Sequence, residues 1–193
     1  MMHCGCFLFG YSDYGTKVLP PQPSNTTWGS GSVVQVTWTI EANHAGGYSY
    51  RLCPKGEPLD EACFQKTPLR FVGMQGMRWG GGPEHGGTEI FFDGTYVTEG
   101  TMPAKSMWAQ NPVPLIGGGD GLPGPAGQFQ FPPKCTNTSM CSGMGDAAGG
   151  RLEIVDHVQI PEGLPQGDYV LGWRWDCEQS NQIWSSCSDV TIE

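Results

Sequence analysis

The chain has 193 residues, room for one domain with a sizeable core and too few for two. Thirty glycines and 16 prolines stand beside seven Trp, six Tyr and eight Phe, with only 15% charged residues, which excludes a helical bundle and points to an all-β domain with long loops. Ten basic against 19 acidic residues, with no basic cluster, argue against a nucleic-acid partner and leave a neutral polymer or a cation open.

Residues 1–24 are an atypical start. The run Cys6-Phe7-Leu8-Phe9 is too short, and its flank too poor in basic residues, for a secretory signal, so the native leader is expected to be missing. No stretch approaches the ~20 apolar residues of a membrane span. Ser32–Ile40 then alternates with period two, placing Val34, Val36, Trp38 and Ile40 on one face of a strand. A loop, Glu41–Gly47, leads into a second alternating run, Tyr48–Cys53, so a hairpin or a crossing pair is expected. Asp60–Gln65 reads as one helical turn, and Leu69–Val72 and Glu89–Val97 as further strands. Residues 98–150 are rich in Gly, Pro, Met and Asn and read as a long surface excursion of a single domain spanning 1–193. Arg151–Ile160, Asp168–Asp176 and Ser188–Ile192 are the closing strands. About seven strands separated by turns suggest an immunoglobulin- or fibronectin-like two-sheet sandwich.

Six of the eight cysteines fall into three local couples, Cys53/Cys63, Cys135/Cys141 and Cys177/Cys187, with Cys4 and Cys6 left over. There is no C-x-x-C pair to suggest a zinc ribbon, and local couples around loops look like disulfides of a secreted protein, although sequence does not fix their connectivity. Each bridge would close a loop of roughly ten residues and contribute about 2–3 kcal/mol. Two sequons, at Asn25 and Asn137, agree with a secretory route and mark candidate glycosylation sites.

No nucleophile elbow, P-loop or dinucleotide fingerprint occurs. Asp168, Asp176 and Glu178 are considered as a hydrolytic carboxylate pair, but carboxylates at strand ends are mostly solvated. Of the four histidines, His157 reads as a strand residue and His85 as a loop residue. His44 stands apart, in a Gly-rich loop leading into the strand of Tyr48 and Tyr50.

Two stretches carry a resemblance. Residues 38–54, with Asn43-His44-Ala45-Gly46-Gly47 before an aromatic strand ending in Cys53-Pro54, resemble the internal-histidine segment of lytic polysaccharide monooxygenases, closest to members with the chitin-binding type-4 domain. Residues 167–192, with Gly167-Asp168-Tyr169-Val170-Leu171 and Trp173-Arg174-Trp175, resemble the family's C-terminal segment. Where that family has Gln-x-Tyr-x-x-Cys, this chain has Gln182-Ile183-Trp184-Ser185-Ser186-Cys187. The resemblance implies a copper cofactor held by a histidine brace, with His44 as the internal ligand and His3 as the amino-terminal one. Gln182 and Trp184 would be the residues beside the metal, Trp184 standing where a Tyr or Phe is usual. It further implies a secreted, extracellular monomer that oxidatively cleaves chitin, cellulose or a related polysaccharide with an external electron donor. The start departs from the family pattern: Met1-Met2 precede His3, and the usual His-Gly opening is absent. A non-catalytic polysaccharide-binding or structural module of the same fold is the alternative.

Overall fold

The computed structural model describes residue 20 and residues 25–40, 43–113, 152–178 and 181–193. Cys4, Cys6, Cys135, Cys141, His3 and Asn137 lie outside them. Among the described residues the chain is all-β, a sandwich of two sheets. The strands are β1 (Thr27–Trp28), β2 (Val33–Thr39), β3 (Gly47–Pro54), β4 (Arg70–Phe71), β5 (Gln75–Trp79), β6 (Thr88–Phe92), β7 (Tyr96–Val97), β8 (Trp108–Gln110), β9 (Glu153–Gln159), β10 (Gly167–Asp176) and β11 (Ile183–Ile192). One sheet runs β1-β11-β10-β3-β8-β7, the other β2-β9-β5-β6 with β4 also on β9. No helix among the described residues is long and apolar enough to cross a membrane.

β2 and β3 belong to different sheets, so of the two expected arrangements the crossing pair is the one that forms. The alternation does the sorting: Val36, Trp38 and Ile40 are buried while Val33, Gln35 and Thr39 are exposed. Trp38 lies at the centre of the core, its ring 4.8 Å from Tyr48, 4.7 Å from Trp173 and 5.6 Å from Trp175. The expected strand Glu89–Val97 is two strands, β6 and β7, paired into opposite sheets. The surface excursion expected over 98–150 does not hold for its first part. Trp108–Gln110 pairs with β3 and β7, and Ala109, Asn111 and Val113 are buried. Residues 114–150 lie outside the described set.

The one α-helical turn among the described residues, α1 (Glu61–Phe64), is capped by the Asp60 carboxylate, which accepts a hydrogen bond from the Cys63 amide at 2.9 Å. It covers the outer face of the first sheet. Phe64 lies over Gly172, where a Cβ would come within 2.8 Å of its ring, so only glycine fits beneath it. Cys53 and Cys63 are joined by a disulfide that ties α1 to β3. The expected couple Cys177/Cys187 does not form: Cys187 is disulfide-bonded, whereas Cys177 carries a thiol. Register explains this. Cys187 sits opposite Gly172, five residues along β10 from Cys177. At about 3.3 Å per residue their Cα atoms are roughly 16 Å apart, beyond the reach of a disulfide.

Candidate functional site

His44 stands on the loop between β2 and β3, at the end of the sandwich where β10 turns into β11. Two consecutive left-handed residues, Ala45 (φ 54°) and Gly46 (φ 77°), make the turn. Gly46 is obligatory, since a Cβ there would lie 2.0 Å from the Asp176 carbonyl oxygen.

The loop is fixed from two sides. On one, the Asn43 side-chain oxygen accepts from the Ala45 amide at 2.9 Å and from the Asn111 side chain at 2.8 Å. The Asn43 amide group donates to the Val113 carbonyl at 3.1 Å, and the Asn111 backbone N–H donates to Gly46 at 2.9 Å. On the other side the Trp175 indole N–H donates to the Ala45 carbonyl at 2.6 Å, and the Glu178 amide donates to the His44 carbonyl at 3.1 Å. The imidazole is 9% exposed and tilted against Trp175, with ring centroids 6.0 Å apart. Its Nδ1 is buried and has no hydrogen-bond partner among the described residues.

Trp184 is the cross-strand neighbour of Trp175 and is half-buried, with an indole nitrogen that is buried and has no hydrogen-bond partner among the described residues. The Gln182 carbonyl accepts from the Cys177 amide at 3.1 Å and closes the turn between β10 and β11. His44, Gln182 and Trp184 therefore share one end of the sandwich. Among the described residues no three His, Cys, Asp or Glu side chains converge on a point that could hold a metal. A metal at His44 would need further ligands from outside them.

The carboxylates near this end are engaged. Arg174 donates bidentately to Asp176 at 2.6 and 2.9 Å and also reaches Glu61 at 2.9 Å, while Arg51 pairs with Glu61 at 2.6 Å. The bond to Asp176 is the main reason the Arg174 guanidinium is held above its ordinary range. Burial pulls Arg51 down despite Glu61. Burial alone would raise Glu61, but hydrogen bonds from Gln65 and Arg51 and the two arginine charges hold it low. Arg174 also lies over the Trp108 ring, 5.8 Å from its centroid. Asp168 is at the far end of β10 and accepts from the Thr191 hydroxyl at 2.9 Å. Eight residues of strand put it about 27 Å from Asp176, several times the spacing of a glycosidase pair.

Sequence reasoning missed the buried residues that hold the loop, Asn43, Asn111 and Trp175. The x-Asn-His-x-Gly pattern is itself an Asx-turn signal, but the segment that answers it, 111–113, lies far away in sequence. Asn25 is exposed, with φ 54°, just ahead of β1.

No family model matches the sequence. Among solved structures the chain is similar to a lytic polysaccharide monooxygenase AA15 from Thermobia domestica in the Cu(I) state. The two are 16% identical, the match covers 91% of this chain and 72% of that one, and the TM-score is 0.41. That degree of likeness assigns no activity to this chain.

Proposed function

We propose that residues 1–193 form one secreted, polysaccharide-active domain of the lytic polysaccharide monooxygenase type, with a copper ion held by His44. The observation that carries the reading is the His44 Nδ1, buried and without a hydrogen-bond partner among the described residues, on a loop whose backbone is held from both sides. A buried polar atom left unpaired costs about 1–3 kcal/mol, a cost that a metal bond removes. Neutral imidazole is a good copper ligand. His3, if it opens the mature chain, supplies the other nitrogens. Bound there, copper supplies one-electron chemistry toward dioxygen or peroxide, fed by an external donor. The chain's own part is positioning. Asn43, Asn111 and Trp175 fix the loop that carries the imidazole, while Trp184 and Gln182 lie at the same end of the sheet. Chitin, cellulose or a related polysaccharide is the substrate, and Asn25 carries a glycan in the secretory route.

The second reading, a non-catalytic polysaccharide-binding module, is favoured by the indole of Trp184, which cannot serve as a hydroxyl ligand. Copper titration followed by electron paramagnetic resonance separates the two, using material secreted with its native start. The wild type should take up one copper with a nitrogen-coordinated spectrum, and His44→Ala should lose it. Equal binding by both sinks the copper reading. Binding to chitin or cellulose without oxidised oligosaccharides, when reductant and copper are present, leaves the module.

A further inference from the structure

The core holds a carboxylate that none of the chemistry above uses. Asp156 on β9 is 1% exposed. It accepts from the Tyr48 hydroxyl at 2.9 and 3.1 Å, from the Tyr50 hydroxyl at 3.2 Å and from the Gln75 amide at 3.0 Å. Gln75 also donates to the Tyr48 oxygen at 2.6 Å, so the donors form a chain. Tyr48 and Tyr50 belong to one sheet, Asp156 and Gln75 to the other. The node is thus a polar bond between sheets that otherwise meet through apolar and aromatic side chains.

The groups facing it are all accounted for among the described residues. β3 presents the two tyrosines and β5 presents Gln75. β2 presents Val36 in register opposite. Ile154 and Val158 flank Asp156 on its own face of β9. Tyr96 on β7 feels its charge, with Asp93 beside it; burial first and these two carboxylates second push the Tyr96 hydroxyl up to about 12. Among the described residues no lysine, arginine or histidine forms an ion pair with Asp156. Three donors favour its ionised form, while burial without a cation favours the neutral one.

We propose that Asp156 is a proton-sensitive node between the two sheets: in mildly acidic solution it takes a proton from solvent, its bond with Tyr48 reverses, and the sandwich becomes more stable. The Tyr48 oxygen lies within hydrogen-bond distance of both carboxyl oxygens, and a hydroxyl accepts as well as donates, so it can take the new carboxyl O–H. No charge is then buried, and the Tyr50 bond is kept.

Burial raises the Asp156 carboxyl to about 6, against which the hydrogen bonds from Gln75, Tyr48 and Tyr50 act. A carboxyl raised in the folded state binds a proton there before the unfolded chain does. Its contribution to stability is therefore present at low pH and is lost as pH rises through about 6, the reverse of an ion-paired carboxylate. The node is independent of any metal at His44.

Infrared titration of the whole chain reads it directly. The wild type should show a buried protonated-carboxyl band with its midpoint near pH 6 that Asp156→Asn removes. The melting-temperature gap between wild type and Asp156→Asn should change by roughly 3 °C between about pH 5 and about pH 7.5. Should Asp156→Asn fail to fold, Tyr50→Phe keeps the ring and removes one bond to the ionised form, so the band's midpoint moves upward. A spectrum without such a band above the ordinary carboxyl range, a band that survives Asp156→Asn, or a midpoint that Tyr50→Phe leaves in place overturns the proposal.

Discussion

The two halves of β10 are held by different means. Along Gly167–Gly172 the outer face is closed by apolar contact and a covalent bond, with Phe64 on Gly172, Val170 beside Cys187, and Cys53 bridged to Cys63. Along Trp173–Asp176 the holding is polar and directional. Trp175 donates to the His44 loop, Asp176 takes the Arg174 fork, and Asn43 and Asn111 clasp each other and the backbone. Apolar packing tolerates small displacements, whereas a hydrogen bond weakens steeply with angle and distance. The exacting means are concentrated around the His44 loop.

Four variants test that contrast, each read by urea unfolding and by the nuclear magnetic resonance signals of the His44 ring. Gly46→Ala at the polar end should cost the most, about 3 kcal/mol, from a left-handed backbone and a collision with the Asp176 carbonyl, and should move the His44 signals. Replacing both Cys53 and Cys63 by serine should cost about 2–3 kcal/mol yet leave those signals in place. If they shift as far as in Gly46→Ala, the two halves are not separate. Trp175→Phe keeps the ring packing and strips the Ala45 carbonyl of its donor, for about 1–2 kcal/mol and a clear His44 shift. Arg174→Gln should cost under about 1 kcal/mol, because its partners Glu61 and Asp176 are substantially exposed.

The elements legible in the sequence were those whose pattern is local. β2, β3 and β10 alternate, and α1 carries its cap at Asp60. β5 was missed because Met74-Gln75-Gly76-Met77-Arg78 looks too polar for an inner strand, and Gln75 is buried only because Asp156 and Tyr48 need it. β8 was missed because three residues in a Gly/Pro-rich stretch acquire strand character only through β3 and β7. At the rim, His44 was singled out by its loop and by a family resemblance, whereas its Asn111 support has no local mark. The Asp156 node did have one: Ile154, Asp156 and Val158 share a strand face, so a carboxylate flanked two residues away on either side by buried aliphatics points inward.

The short strand β1 runs parallel to β11 and gives the fold a kinetic order. Thr27 pairs with Thr191 and Trp28 with Ile192, and Ser30 donates to the carbonyl of Glu193. These contacts join segments nearly the whole sequence apart, so closing them costs more loop entropy than any hairpin in the molecule. During synthesis Thr27–Trp28 has no strand to join until Thr191–Ile192 has left the ribosome. Until then the edge of β11 that β1 covers does not exist, and an early-emerging Trp28 stays exposed to any other chain that offers an edge.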